Sequence, residues 1–222
     1  MKKLYTIMLF TILILLTGTV IFLILSPDQI PVHMSISGDV DRIGSKFVYL
    51  VFPGIGAGLG LFFAIMGKLE RRKAEKSNEK ILLYTGIGVI ALIALIGFYF
   101  MFQAGRYDAD AVSEGSFGDM NKLMNVGIGA LLVVLGNIMP KARMNSVFGI
   151  RTSWSMVNDS VWQKTQRFGG ITCVICGFLM ILLSLFIPGE WNIFVMLGLI
   201  TVMAVLCVAA SYRYYTADQQ KG

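Results

Sequence analysis

Histidine occurs once in this chain, at position 33, and cysteine three times, at 173, 176 and 207. No Ser-His-Asp or Cys-His set can be assembled from them, because His33 lies in a polar loop and the cysteines lie inside apolar runs. His-Glu-x-x-His is absent as well. Cys173 and Cys176 form a C-x-x-C, but without the strand–helix surroundings of a redox motif, so small apolar packing is the better reading than redox or metal chemistry. Charge is also scarce: Asp, Glu, Lys and Arg make up 14% of 222 residues, against about 25% in soluble domains. These shortages point away from an enzyme and away from any cofactor or bound metal.

What the chain has instead is apolar length, with 56% hydrophobic residues. The runs are Leu4–Leu25, Phe47–Gly67, Ile81–Gln103, Leu123–Met139, Ile171–Ile187 and Ile193–Tyr212. Each is close to the roughly 17 to 25 residues that cross a bilayer as a helix. The expectation is an all-α polytopic membrane helical bundle with six transmembrane helices, forming a single membrane domain over 1–222. Lys2 and Lys3 precede a first run too long for a signal peptide, with no small-x-small cleavage site before Ser26-Pro27, so it reads as a retained helix.

None of the six runs contains Asp, Glu, Lys, Arg or His, which disfavours proton-coupled transport. Asn125, Asn137 and Gln103 read as interhelical hydrogen-bonding groups. Glycine pairs at four-residue spacing, Gly54 with Gly58 and Gly56 with Gly60, are expected to let a neighbouring backbone approach the second helix. Gly86, Gly88, Gly127 and Gly129 offer the same in the next two.

Basic residues set the orientation. With a cytoplasmic N-terminus, 15 of the 19 Lys and Arg face inward. The outer side then holds Arg42, Lys46, Arg106 and Lys122 against eight acids, a net charge of −4. This asymmetry places both termini in the cytoplasm, and it accounts for a pI of about 9.3 without any direct contact to nucleic acid.

Two loops remain as candidate sites. In the outer one, SPDQIPVHMSISGDVDRIGSKF, Val32, Met34 and Ile36 alternate with His33, Ser35 and Ser37, which predicts a short strand or extended arm turning at Gly38. His33, Asp39 and Asp41 are its candidate binding residues; without a helical i,i+4 arrangement one His and two acids are a weak signal for a metal site, but protonation of His33 would make the loop pH-responsive. The inner loop, Pro140 to Gly170, is basic and rich in Trp. Asn158 or Asp159 caps a predicted interfacial helix from Ser160, on which Val161, Thr165 and Phe168 share a face beside Trp162. Either lipid anchoring or docking of a cytoplasmic partner suits this loop, with Arg151, Trp154, Trp162 and Arg167 as the strongest contact types. The other inner segment, KLERRKAEKSNEK, reads as a solvated helical extension at the headgroups.

The motifs carry a resemblance. P-x-H-x-x-x-x-G-x-x-D at Pro31, His33, Gly38 and Asp41 is followed by Gly44-Ser45-Lys46. GN-x-x-PK-x-R-x-N spans Gly136 to Asn145, GIRT-x-W spans Gly149 to Trp154, and VW-x-KTQR-x-GG spans Val161 to Gly170. Together they resemble the SdpI/YfhL family of bacterial integral membrane proteins, related to the immunity protein against a sporulation-delaying toxin. The resemblance implies a multi-pass protein of the bacterial plasma membrane that gives resistance to a secreted toxic peptide. It also implies a receptor that sequesters a cytoplasmic transcriptional repressor at the membrane. Mapped onto this chain, the inner docking set is Asn137, Arg143, Asn145, Arg151, Thr152, Trp154, Trp162, Lys164 and Arg167. A membrane signalling protein unrelated to toxin and a small-solute channel or transporter are the alternatives.

Overall fold

The computed structural model describes residues 1–35, 40–71, 78–106 and 119–220, with only the backbone of Met34, Asp119 and Met120. Its elements run α1 (Lys2–Leu25), β1 (Gln29–Met34), β2 (Val40–Ser45), α2 (Val51–Arg71), α3 (Glu79–Gly105), α4 (Asp119–Ile138), α5 (Asp159–Phe186) and α6 (Asn192–Gln219). Among the described residues six helices are long and apolar enough to cross a membrane. Phe10, Ile24, Leu61, Phe186 and Val205 point outward, as side chains must where the surrounding medium is hydrocarbon. The protein is a multi-pass membrane protein with the six spans that the apolar runs predict.

The helices pack as two groups of three. α1, α2 and α3 contact one another, α4 and α6 flank α5, and α3 meets α4 between the groups. In the first group Leu82, Leu83 and Ile90 of α3 are fully buried, packed with Met8 and Phe63. In the second, glycine decides the spacing. A Cβ on Gly136 would sit 2.6 Å from the Gly170 carbonyl oxygen, and a Cβ on Gly170 would sit 2.6 Å from that of Gly136. Gly129 faces Gly177 in the same way two turns away. Backbone-to-backbone approach through small residues is a standard route to helix association in lipid, and here it joins α4 to α5.

The glycines of α2 behave differently from the expectation. Gly54 and Gly58 have open space where a Cβ would stand, while Gly56 receives Leu15 and Gly60 receives Ile12. That face of α2 admits large side chains of α1, so no backbone approaches it; Gly86 likewise receives Phe63 and Gly88 receives Leu131.

A β-hairpin closes one end of the bundle. The arm expected around His33 is a strand, β1, and it pairs antiparallel with β2 in register Gln29 to Ser45, Ile30 to Gly44, Pro31 to Ile43 and His33 to Arg42. Ile30 and Tyr49 are buried beneath it, with Tyr49 Oη donating to the Pro31 carbonyl at 2.9 Å. Lys46 clamps the base, donating to the Ser26 carbonyl at 2.9 Å and lying 3.1 Å from Asp28 Oδ1. The turn at Gly38, together with Asp39, lies outside the described residues.

The opposite end gathers both ends of the chain. Tyr5 on α1 donates to Glu79 Oε1 at the start of α3 (3.0 Å), and Asn158 before α5 donates to Asp218 near the end of α6 (2.7 Å). The predicted interfacial helix from Ser160 is the first part of α5, which runs unbroken into the span; Asn158 caps it by accepting from Val161 N at 2.9 Å.

Candidate functional site

At the hairpin end, β1 and β2 bring two of the three outer candidates together. His33 Nδ1 lies 2.6 Å from Asp41 Oδ1, with the side chains 59% and 46% exposed. The strand register is irregular between Pro31 and Met34, around His33, and the His33–Asp41 pair is exposed. Such a pair presents a polar, hydrogen-bonding edge to whatever approaches the membrane from that side. Among the described residues no group of three or more His, Cys, Asp or Glu could hold a metal ion.

At the other end the loop between α4 and α5 folds back under the bundle instead of lying on the membrane surface. Asn145 is its knot. Its Oδ1 accepts from Val147 N (2.8 Å) and Phe148 N (2.7 Å), while its Nδ2 donates to the carbonyls of Arg143 (2.7 Å) and Phe148 (3.2 Å). Gln166 holds the next stretch, accepting from Ile150 N and donating to Ile150 O, both at 2.9 Å. Gly149 between them has φ +106°, a conformation open to glycine at little cost, and a Cβ there would strike the Gln166 carboxamide. Ser155 is fully buried, donates to Ile150 O at 3.0 Å, and accepts from Thr152 N at 2.9 Å. Thr152 Oγ1 reaches Ser211 on α6 at 2.9 Å.

Residues 141–211, covering this loop, α5 and most of α6, match the model of the SdpI/YfhL protein family. Over that stretch the chain is similar to the SdpI/YfhL protein family. Residues 3–57, which carry α1 and the hairpin, match a domain of unknown function (DUF1648). Over 215 residues, 97% of each chain, the sequence is 25% identical to "Immunity protein SdpI" of Bacillus subtilis strain 168. No solved structure matches it.

The motif residues of this stretch divide into two sets. Gly136, Asn145, Gly149, Trp162, Gln166 and Gly170 build the loop and its seat. Trp162 is fully buried, its indole N–H donating to the Ala142 carbonyl at 2.8 Å. Trp162 therefore lies inside the protein, away from both the lipid and the docking surface for which its residue type argued. The reason is the fold-back of the loop, which puts Ala142 over the face that Val161, Trp162 and Thr165 share. The exposed set is Asn137, Arg143, Arg151, Lys164 and Arg167. Asn137 turns its amide back to Val133 O at 2.9 Å. Lys164 and Arg167 continue into the exposed stripe of Ile171, Ile175 and Phe178 on α5, as the basic end of that stripe. Trp154 is half-buried, edge-on to Tyr212 with centroids 5.0 Å apart.

The residues that sequence reasoning missed lie in the supposedly solvated segment. Glu70 and Glu79 are each 5% exposed, and Asn78 between them is 2% exposed. Asn78 donates to Glu70 Oε2 (3.4 Å) and to the Arg143 carbonyl (3.1 Å), and it accepts from Arg143 N (3.0 Å). One asparagine thus ties the α2–α3 junction to the α4–α5 loop, a polar link between the two helix groups. Residues 72–77 of that segment lie outside the described residues.

Replacing Asn145 with Ala removes four hydrogen bonds and leaves the buried Phe148 amide unpaired, a cost of about 1–3 kcal/mol. Thermal unfolding of the purified protein should shift clearly downward. Asn137→Ala, which removes one exposed bond within a single helix, should leave the transition unchanged.

Proposed function

We propose that this protein gives its cell immunity to a secreted toxic peptide by capturing the peptide at the outer hairpin. The observation that carries the reading is likeness along 97% of the chain to a protein named for immunity. The charge pattern supports the orientation: four basic against eight acidic residues on the hairpin side, and 15 basic residues on the other. By the positive-inside bias the hairpin faces out and both termini face the cytoplasm. A net −4 surface attracts a cationic peptide over a Debye length of about 8 Å at physiological salt.

The finer reading is a receptor that also holds a cytoplasmic repressor at the membrane. Its docking surface is Arg143, Lys164 and Arg167 from among the exposed basic residues, with Trp154 at the rim; Trp162 and Asn145 support that surface from inside.

Retention of labelled cationic and hydrophobic peptides by the purified full chain in nanodiscs tests capture. One peptide should be held by the wild type and lost with paired His33→Ala and Asp41→Asn substitutions. Equal retention by wild type and the double variant would remove the hairpin from the account. For the finer reading, Lys164→Gln with Arg167→Gln should release a membrane-recruited regulator; recruitment at the wild-type level would end it.

A further inference from the structure

Two open apolar crevices lie side by side at the loop end, of about 370 Å³ and about 450 Å³, both within the roughly 300–1,000 Å³ of small-molecule sites. The first runs between Phe62, Phe63 and Met66 of α2 and the loop. The second runs between α4, α5 and α6, against Leu132, Cys173, Met203 and Ala204. Val147 and Phe148 form the wall between them, and Thr85 and Arg151 line both. Arg151 is exposed, and among the described residues it has no hydrogen-bond or ion-pair partner.

We propose that these crevices bind one anionic phospholipid, an acyl chain in each and the phosphate on Arg151. The arrangement argues for it: two slots share one cation at their common wall, as two acyl chains share one headgroup. Depth agrees, because Met66 precedes Lys68 and Arg71 at the end of α2, the level at which basic side chains meet phosphates. A peptide would need partners for its backbone groups in an apolar slot, and the walls offer few. The Thr85 hydroxyl already donates to Ile81 O, and the Val147, Phe148 and Ile150 amides are taken by Asn145 and Gln166. Basic sites between membrane helices are suited to anionic headgroups in general. The site is independent of whether the chain confers immunity.

The test is native mass spectrometry of the full chain released from nanodiscs of phosphatidylglycerol or of phosphatidylcholine. One phosphatidylglycerol should stay bound to wild type and phosphatidylcholine should not. Arg151→Gln, at an exposed side chain without a partner, should keep the melting temperature and lower retention by about fivefold or more. Ala204→Phe, which fills the second crevice, should also lose the lipid, while Arg167→Gln on the outer stripe of α5 should keep it. Unchanged retention by Arg151→Gln, equal retention of phosphatidylcholine, or displacement by soluble glycerol phosphate would each overturn the proposal; the last would show that the anion alone is recognised. Should Ala204→Phe fail to fold, the Arg151→Gln comparison still decides the matter.

Discussion

Trp162→Ala is expected to destabilise the whole protein by about 3–5 kcal/mol for the lost buried ring, with up to about 1–3 kcal/mol more for the stranded carbonyl. The indole is fully buried, and its N–H is the group that satisfies Ala142 O at 2.8 Å. Ala leaves both a void beneath the loop and an orphaned acceptor in a region where water has little access. Thermal unfolding in detergent should show the loss, and Trp162→Phe should recover part of it by filling the space without restoring the bond. A surface anchor would behave differently, with near-native melting and altered membrane or partner contact. Trp154→Ala is the internal comparison: its edge-on contact with Tyr212 is worth about 0.5–1.5 kcal/mol beyond area burial. Equal melting of Trp162→Ala and wild type would show that the loop does not depend on this residue.

Gly170→Val is expected to separate α4 from α5. The first added carbon would lie 2.6 Å from Gly136 O and 3.0 Å from Pro140 Cδ. Neither neighbour is the free end of a flexible side chain, so a helix must move, at a cost of at least about 1–3 kcal/mol. A disulfide or short crosslinker placed across α4 and α5 should form in wild type and fail in the variant, along with a fall in melting temperature. Gly54→Ala gives the contrast. Nothing lies near that position, and Ala favours a helix over Gly by roughly 0.5–1 kcal/mol, so stability should hold or rise. Normal crosslinking in Gly170→Val would show that the Gly136–Gly170 approach does not set the helix spacing.

The six spans were legible because each is a long apolar run, and composition alone decides that a backbone in hydrocarbon must be helical. The strand at His33 was legible from its alternation of apolar and polar residues. Its partner, VDRIGS in β2, has no comparable alternation and pairs because Lys46 and Tyr49 hold the hairpin base down on the bundle. Trp162 misled for a physical reason: an amphipathic ring near a membrane surface suits an interface and a buried seat equally, and the choice rests on Ala142, twenty residues away. Glu70, Asn78 and Glu79 were hidden in a run of charge that reads as solvated. Their partners Tyr5 and Arg143 are 74 and 65 residues distant from Glu79 and Asn78. Glycine spacing was visible in α2, but whether a glycine meets a backbone or a large side chain depends on the opposing helix, and of the glycines expected from their spacing to admit a neighbouring helix only Gly129 meets a backbone atom.

Growth of a toxin-sensitive strain expressing this chain, challenged with secreted cationic and hydrophobic peptides, tests the central claim most directly. Each protein is first confirmed in the membrane. The account predicts that the wild type protects against at least one peptide, that the His33→Ala, Asp41→Asn double variant loses that protection, and that Arg151→Gln keeps it. Growth no better than the empty-vector strain against every peptide, with the wild-type protein correctly inserted, would contradict it.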